Sequence, residues 1–429
     1  MFGFANFLLL ALFAAAVFDL IFALARGDGL RGALHGLWNT PHLLFGQQLA
    51  EWRLQLGRIL FAAGLAAYEI SVVFCNSMAR QNWAWVQGVM SPVLEWLAFL
   101  CFGAKILFGT RYTWRELLAG GALYFIARWV YFNSQNIWWI GIVVAVLAAK
   151  DVPLRRPLQV YFASGCAAMA VVLALHFAGI VAPDLTSERM GALRGTYGYG
   201  HPNTFGGLVF GLVLAYALLR AQKVRWVDCL LVFAIGVFLL VGPASRSAAL
   251  CTLALAVGLV FCRLRAGHSV PRWWPGTCAG MVGLTAAVSY LLPLLVIKVG
   301  PWNNDIGPAW LAKLDSLLTC RISLTWMAYR LLDVKIAGQV FNWPTVDNSF
   351  AFALFQFGPV VAALLGILFA AALWGHAKQG RRVEVCCLFA MLAYAYMEVQ
   401  PFHLTTNPTA LLLCGAVFAQ TSARWQKIE

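Results

Sequence analysis

Charged residues are scarce in this chain. They make up 11% of its 429 residues, whereas hydrophobic residues make up 62%. A typical soluble domain contains about a quarter charged residues, so the composition excludes an ordinary soluble fold and indicates a polytopic membrane protein. The first 18 residues carry no charged side chain. Because the first apolar run lacks a basic leading region and an obvious cleavage site, we do not expect a cleavable signal peptide.

The sequence also lacks the motifs of several function classes. It has no CxxC pair and no cluster of Cys and His at zinc-binding spacing, so its eleven cysteines predict neither a disulfide framework nor a structural metal. We expect these cysteines to be buried in the spans. Internal repeats, a nucleotide fingerprint and a glycine-rich phosphate loop are absent too. We therefore predict a protein without a bound metal or cofactor.

Long apolar runs, in contrast, are abundant. Each spans roughly 16 to 25 residues, enough for a helix to cross about 30 Å of hydrocarbon. The runs are continuous rather than alternating, which favours helices over barrel strands. We predict an all-α polytopic membrane protein of about 12–14 transmembrane helices in a single integral membrane domain, residues 1–429. The thirteen predicted spans are 4–25, 58–76, 91–109, 116–133, 137–150, 157–180, 204–219, 226–242, 247–263, 277–299, 348–374, 383–398 and 404–421.

Lysine and arginine collect in alternate loops. When thirteen spans are threaded, these loops fall on one side, which the positive-inside rule makes cytoplasmic. The clusters are Arg111 with Arg115, Lys150 with Arg155 and Arg156, Arg220 with Lys223 and Arg225, Arg263 with Arg265 and Arg272, and Lys378 with Arg381 and Arg382. The N-terminus is then outside and the C-terminus inside. These loops hold most of the cations behind the net charge of +14, so topology explains the excess and nucleic acid is not expected as a partner.

The threading leaves two sizeable extracytoplasmic loops, residues 181–203 and 300–347. In the second loop, apolar residues of 308–318 recur at helical spacing, which predicts a helix lying on the membrane surface. Another helix is predicted over about residues 321–332. Its two arginines, Arg321 and Arg330, are nine residues apart and so lie on opposite faces, and at most one can face a common pocket.

Polar motifs stand at the predicted outer ends of the spans. The stretch from Arg194 to Gly206 is rich in glycine and aromatic residues and includes His201, which is either a site residue or a helix-start histidine bonded to backbone. Arg246 begins the ninth span on the side otherwise poor in cations, where the topology rule disfavours an arginine. An arginine at this position predicts a phosphate-binding site. The alternative is that its side chain snorkels to the interface and binds a lipid phosphate.

Two carboxylates occupy comparable positions. Asp347 precedes the eleventh span, where it can act as a helix N-cap, as a catalytic group, or as both. Glu398 lies near the outer end of the twelfth span, followed by His403 and Asn407. A lone carboxylate there is either a site residue or simply interfacial.

Four short motifs follow one another along the chain. They are Arg194 with Gly-His201-Pro202-Asn203-Thr-Phe-Gly206, then Ala-Ser245-Arg246-Ser-Ala, then Thr-Cys320-Arg321 with Trp326, then Asp347-Asn348-Ser-Phe with Gly358. Their order and spacing resemble the Wzy family of polysaccharide repeat-unit polymerases. The resemblance covers roughly residues 190–400, and an acidic residue at the position of Glu398 is common in such polymerases. The related O-antigen ligases usually carry His where this chain has Asp347, which favours polymerase over ligase.

The resemblance implies a GT-C-like membrane glycosyltransferase in the bacterial cytoplasmic (inner) membrane, with an extracytoplasmic active site. Its donor and acceptor are implied to be oligosaccharide repeat units linked to undecaprenyl diphosphate, joined into a capsule, exopolysaccharide or O-antigen. The lipid bilayer, a flippase and a chain-length regulator are the other partners implied.

Glycosyl transfer from a polyprenyl diphosphate needs cations for the leaving diphosphate, a group that handles the acceptor hydroxyl, and a platform for sugars. Arg246 and Arg321 are predicted to bind the diphosphate with help from Arg194 on a mobile lid. The candidates for the group that handles the hydroxyl are Asp347, His201 and Glu398, and we predict Asp347 or His201. The predicted catalytic residues are Asp347, His201, Arg246 and Arg321. The predicted substrate-binding residues are Arg194, Tyr197, Tyr199, Asn203, Trp326, Asn348 and Glu398, with Trp302 and Trp343 as further sugar platforms.

Two other functions stay open at this point. A ligase would use the same donor but transfer its glycan once to another acceptor. A lipid-linked sugar transporter or flippase would act without chemistry, and such proteins often show internal repeats and ionisable residues near the midplane. No repeat is visible here, and the polar motifs gather at one predicted surface.

Overall fold

A computed structural model describes residues 2–45, 50–181, 187–189, 192–296 and 307–418 of the chain. Most of them are helical. The α-helices are α1 (Phe2–Ala25), α2 (Gly29–Asn39), α3 (Ala50–Cys75), α4 (Ala79–Asn82), α5 (Ser91–Phe108), α6 (Trp114–Ser134), α7 (Ile137–Ala148), α8 (Arg155–Phe177), α9 (Pro202–Leu219), α10 (Trp226–Val241), α11 (Arg246–Leu264), α12 (Trp274–Leu291), α13 (Ala309–Leu317), α14 (Arg321–Leu331), α15 (Ser349–Phe352), α16 (Pro359–Lys378), α17 (Arg382–Met397) and α18 (Cys414–Val417).

Other regular structure is short. π-helical turns occupy Val86–Met90 and Ala353–Phe357, and 3-10 turns occupy Leu292–Leu295, Gln400–Phe402 and Pro408–Leu413. Strand β1 (His42–Leu43) pairs antiparallel with β2 (Arg111–Tyr112), and β3 (Ser187–Arg189) pairs antiparallel with β4 (Ala192–Arg194). Such small ladders leave the helical class predicted from the sequence unchanged.

Eight helical segments are long and apolar enough to cross a membrane, and three shorter apolar helices accompany them within the described residues. The protein is therefore a multi-pass, mostly helical membrane protein, as predicted. The eight are Asn6–Ala25, Glu51–Cys75, Val86–Phe108, Arg155–Phe177, Pro202–Leu219, Arg246–Leu264, Trp274–Leu295 and Pro359–Lys378, and the shorter ones are Ile137–Ala148, Trp226–Val241 and Pro408–Val417.

The prediction of about thirteen spans exceeds these eight. The five other predicted segments also coincide with helical structure, but that structure is shorter or more polar. For example, α17 has 16 residues and so covers only about 24 Å. Helix α6 is long enough but carries Arg115, Glu116 and Arg128. Apolar runs in the sequence thus overestimate the number of full-length apolar helices.

The chain divides into two compact units. The first unit comprises residues 1–128, 140–182 and 410–429, and the second comprises 129–139 and 183–409. In the first unit, α3 packs against α5 at glycines. A Cβ atom on Gly57 would lie 2.8 Å from the Cα of Gly109, and one on Gly64 would lie 2.8 Å from the ring of Phe102. The missing side chains therefore let these helices approach closely, as glycines often do in membranes.

The first unit also contains a buried charged cluster. Lys105 and Lys150 are 1% and 3% exposed. Lys150 Nζ lies 3.4 Å from Glu116 Oε1 and 3.3 Å from Asp151 Oδ2, and donates to the carbonyl of Arg111. Lys105 Nζ donates to Thr110 Oγ1 at 2.7 Å and to the carbonyl of Lys150. The ammonium groups thus have protein partners, which offsets the cost of burying them.

In the second unit, two adjacent glycines bring α9 close to its neighbours. A Cβ atom on Gly206 would lie 2.2 Å from Ser245 Oγ, just before α11. A Cβ atom on Gly207 would lie 1.8 Å from Gln400 Oε1, just after α17. A side chain at either position would force Ser245 or Gln400 to move. The start of α9 is therefore held against the start of α11 and the end of α17.

The predicted span 348–374 is broken rather than continuous. Helix α15 passes into the π-helical turn, and Gly358 then adopts φ +88° before α16 begins. Gly338 in the preceding loop has φ +75°. A Cβ atom on Gly358 would lie 2.0 Å from the carbonyl oxygen of Ile336, and one on Gly338 would lie 2.0 Å from that of Gln356. Both positions therefore require glycine for backbone conformation and for space.

The two helices predicted in the long loop are present as α13 and α14. The buried carboxylate of Asp315 in α13 accepts hydrogen bonds from the backbone N–H groups of Ile322 and Ser323 and from the hydroxyl of Ser323. It thereby satisfies otherwise unpaired N–H groups at the start of α14. Arg321 is 7% exposed and Arg330 is exposed, so the prediction that they face opposite ways is confirmed.

The eleven cysteines are all free thiols. Seven are buried and three are half-buried, whereas Cys320 is exposed. Packing inside the helical units is thus the common role of these side chains.

Candidate active site

Several predicted site residues of the second unit meet where helices begin or end, together with Ser247. Asn203 lies in the first turn of α9, and Ser247 is the second residue of α11. Arg321 is the first residue of α14, and Glu398 directly follows α17. Four segments distant in sequence therefore contribute side chains to one place.

Glu398 is the centre of this arrangement. Its Oε1 atom accepts hydrogen bonds from Asn203 Nδ2 at 3.1 Å, Ser247 Oγ at 2.8 Å and Arg321 Nη2 at 2.6 Å. The side chain is buried but lies outside the eight candidate spans. Burial raises the pKa of Glu398 to about 7, although Arg321 acts in the opposite direction. This carboxylate thus organises three neighbours, rather than standing alone at an interface.

Arg321 uses its donors within the protein. Nε donates to the carbonyl of Met397, and Nη1 donates to the carbonyl of Leu318 and to Thr319 Oγ1. Nη2 donates to Glu398 and, at 3.4 Å, to Ser247 Oγ. A guanidinium group has five N–H donors, so this pattern occupies the fork that would grip a phosphate. The structure places Arg321 as an organising residue beneath the site, not as an open phosphate ligand.

Arg194 is also enclosed. It is 8% exposed, and Nη2 donates to Asn203 Oδ1 at 2.9 Å and to the carbonyl of Ala244 at 3.2 Å. Because the amide of Asn203 also donates to Glu398, it joins Arg194 to the ion pair of Glu398 and Arg321. This position does not fit the predicted mobile lid, since Arg194 is fixed between two helix starts.

Asp347 is the more accessible carboxylate. Its side chain is 31% exposed, and Oδ2 lies 3.8 Å from Arg321 Nη2. The alternative that Asp347 caps the helix is wrong. Asn348 is the cap, because its Oδ1 accepts from the N–H groups of Phe350 and Ala351. Asp347 is therefore held beside a buried cation while its carboxylate reaches the surface.

The capping role also changes the interpretation of Asn348. The side chain is 4% exposed, and its Nδ2 donates to Ser289 Oγ at 3.1 Å. Both ends of the amide are thus used inside the protein. Asn348 shapes the start of α15 with both ends of its amide, and its substrate-binding role stays a prediction.

His201 caps α9. Its Nδ1 atom accepts from the N–H of Asn203 at 3.1 Å, so the predicted backbone bond is confirmed. In a neutral imidazole that accepts at Nδ1, the proton lies on Nε2, which makes the exposed edge a donor rather than a base. Partial desolvation and the charge of Arg194 lower the pKa of His201, whereas Asp347 raises it. His201 is therefore mostly neutral at pH 7.

Arg246 differs from the other two arginines. It is exposed at the first position of the 19-residue helix α11, and it has no hydrogen-bond or ion-pair partner within the described part of the chain. The N–H groups and dipole of a helix start also favour anions. Its immediate neighbours belong to the site, since Ser247 bonds to Glu398 and Ala244 bonds to Arg194. Arg246 is thus the cation best placed to bind an anionic ligand.

The predicted aromatic platform is only partly open. Tyr199 is fully buried, with its ring centroid 5.6 Å from that of Phe205, so the prediction that it contacts sugar does not fit. Tyr197 is half-buried and stacks on Phe205 at 5.0 Å. Trp326 is half-buried, with Arg330 Cζ 5.6 Å from its ring centroid. Trp343 is 63% exposed, and Trp302 lies outside the described residues.

Sequence reasoning missed several contributors. Ser247 and Thr319 bond to the charged pair, and Asp315 fixes the start of α14. Ser349 donates through Oγ to the carbonyl of Glu398. Ser247 and Thr319 lie within two residues of the predicted arginines, and this proximity is the signal that could have identified them. For Asp315 and Ser349, the only such signal is a position near a helix end.

Across the described residues, no group of three or more His, Cys, Asp or Glu side chains is arranged to hold a metal ion. The site combines an exposed arginine, a partly exposed carboxylate and an imidazole N–H around a buried ion pair. No protein-family model, curated protein or solved structure matches the chain.

Proposed function

We propose that the protein is a membrane glycosyltransferase of the Wzy type. It polymerises undecaprenyl-diphosphate-linked oligosaccharide repeat units on the outer face of the bacterial cytoplasmic membrane. The observation that carries the proposal is the placement of Asp347, which lies partly exposed and 3.8 Å from the buried Arg321. A carboxylate held beside a fixed cation is oriented, as an acceptor of a hydroxyl proton must be.

The remaining groups fit the donor half of the reaction. The bond between the donor's anomeric carbon and its diphosphate oxygen breaks, and negative charge develops on the leaving diphosphate. Arg246 and the N–H groups at the start of α11 stabilise that charge. His201 donates from Nε2 to a phosphate or sugar oxygen. Arg194 and Arg321 act from below, by holding Asn203 and Asp347 in place.

Asp347 completes the acceptor half. It accepts the proton of the acceptor hydroxyl as the oxygen bonds to the anomeric carbon, so the transfer is a single displacement with inversion of configuration. Trapping a covalent glycosyl intermediate on any side chain would contradict this route. The long loop containing α13 and α14 covers the reacting groups from the outer side in this proposal.

The test is elongation by purified protein in detergent, with a defined undecaprenyl-diphosphate-linked repeat unit. We expect a ladder of lengthening lipid-linked glycans from the unaltered chain. Asp347→Asn is expected to slow elongation by about 10²–10⁴-fold, the usual contribution of a general base. Asp333→Asn removes an exposed carboxylate of the same loop and serves as the control.

The products also separate the alternatives. A single transfer to another acceptor would indicate a ligase, which uses the same donor chemistry. Because detergent leaves no two sides to transport between, any elongation excludes transport as the sole activity. Full elongation by Asp347→Asn at normal protein levels would overturn the assigned base. Failure of the unaltered chain to process the donor would overturn the function.

A further inference from the structure

The short helix α2 of the first unit has three distinct faces. Leu30, Leu34 and Trp38 recur every four residues and line one stripe, where they are 61%, 38% and 38% exposed. Ala33 and Leu37 lie one position earlier, about 100° around the helix, and are buried. This arrangement leaves an exposed apolar stripe directly beside the packed face.

The third face is polar. Arg31, His35 and Asn39 lie one position after the apolar stripe, about 100° further around the helix, and are exposed. A helix with adjacent apolar and cationic faces is typical of segments that lie in the plane of a membrane surface. The 11 residues of α2 span about 16 Å, too short to cross a bilayer.

Both ends of α2 are anchored to α1. At the N-terminal end, Gly27 and Gly29 adopt φ of +87° and +61° and turn the chain directly after α1. At the C-terminal end, the chain returns along α1, because His42 Nε2 lies 3.2 Å from Asp19 Oδ2 and both side chains are buried. Asp19 is six residues, or about 9 Å, before the end of α1. Helix α2 thus leaves the end of α1, a candidate span, and the chain contacts α1 again shortly after α2 ends.

Cations gather around the apolar stripe. Arg26 Cζ lies 4.3 Å from the ring centroid of Phe22, and Arg115 Cζ lies 5.4 Å from that of Trp38. Arg115 also donates to Asn39 Oδ1. Arg31 is a third exposed arginine at this helix, and Asp28 is the one acidic residue between positions 26 and 39.

We infer that α2 is an interfacial helix that binds anionic phospholipid, with Leu30, Leu34 and Trp38 among the acyl chains and the arginines on headgroup phosphates. Two observations favour lipid as the occupant. The exposed apolar surface of α1 continues up to the turn before α2, with Ile21 61% exposed. The surrounding charge is complementary to anionic headgroups. This inference does not depend on the proposed transferase activity.

The test is photo-crosslinking of the full chain in vesicles that contain both phosphatidylcholine and phosphatidylglycerol. The photoreactive residue p-benzoylphenylalanine is introduced at Leu34, and at His35 as a matched position on the polar face of the same helix. Intact-mass analysis then reports the adducts. We expect lipid adducts at Leu34 but few at His35, with phosphatidylglycerol enriched above its share of the bilayer.

The arginines supply the second readout. Each arginine near an anionic surface favours binding enough to change enrichment about fivefold, so Arg31→Gln and Arg115→Gln should each reduce it by about that factor. Arg31 makes no contact that would disturb folding within the described residues, so it remains informative if Arg115→Gln misfolds. Adducts to protein instead of lipid, equal lipid labelling at both positions, or unchanged enrichment in Arg31→Gln would overturn the inference.

Discussion

Each unit contains a buried network of charged side chains, built around Lys150 in the first unit and around Arg321 and Glu398 in the second, and these two networks differ in which polar groups remain exposed. In the first unit, Asp151 Oδ2 accepts from the N–H of Arg111 and lies 3.3 Å from Lys150 Nζ. In the second unit, Asp347 has only the longer 3.8 Å contact with Arg321 among the described residues. Arg246 and His201 are exposed beside that second network.

The difference shows why buried ion pairs alone do not mark a site. Charges placed inside a protein must be paired wherever they occur, whether or not they serve a reaction. The second network differs because exposed polar groups lie beside it, and these groups keep side-chain atoms that can bind a ligand. We therefore expect the two networks to respond alike when a buried cation is removed, and differently when an exposed group is removed.

The largest effect should follow removal of a buried cation. Arg321→Met leaves Glu398 buried without its partner, and Lys150→Met does the same to Glu116. Each should lower the free energy of unfolding by about 3–5 kcal/mol, measured as thermal unfolding in detergent. Arg330→Met, at an exposed arginine, is the control. A stable Arg321→Met protein without activity would instead indicate that Arg321 contacts substrate directly.

Removing the exposed cation should change activity without changing stability. Arg246→Ala is expected to slow glycan elongation by about 10²–10³-fold, as loss of a transition-state donor does. Its unfolding free energy should stay within about 0.5 kcal/mol, because the side chain is exposed. Arg330→Ala provides the matched arginine. Equal elongation by both variants would leave Arg246 with only a lipid-facing role.

Neighbouring residues Asp347 and Asn348 allow a finer comparison. Asn348→Ala removes the helix cap and should lower the free energy of unfolding by about 1 kcal/mol. Asn348→Asp retains an oxygen that caps and should recover most of that stability with near-normal elongation. An Asn348→Asp protein that is stable but inactive would support a substrate-binding role for the amide.

The smallest expected effect is the pH dependence of the His201 cap. The pKa of His201 is lowered in the folded protein, so the cap is fully formed above the unfolded-state pKa of about 6.5. Its contribution is lost as pH falls through the lower folded-state pKa, because protonated Nδ1 cannot accept a hydrogen bond. Thermal unfolding followed against pH should show this loss, and His201→Asn should not. Parallel curves would refute the capping tautomer.

Local sequence patterns were enough to determine the class and much of the helical framework. Hydrophobic runs marked the apolar helices, and periodicity located α13 and α14 and separated the faces of Arg321 and Arg330. These features depend on residues a few positions apart, so they can be recognised without knowledge of the fold. The same patterns could not show that Gly358 interrupts a span, since its close neighbour is the carbonyl of Ile336.

The tertiary structure alone decided which candidate residues are buried or hydrogen-bonded within the protein and which are exposed. Asn203 meets Glu398 across 195 residues of sequence, and Arg321 meets it across 77. Tyr199 is enclosed, and Asn348 rather than Asp347 is the cap. Hydrogen bonding and burial depend on partners brought together by packing. Residue type and spacing could therefore nominate Arg246 and Arg321 alike, whereas their surroundings leave one exposed and the other enclosed.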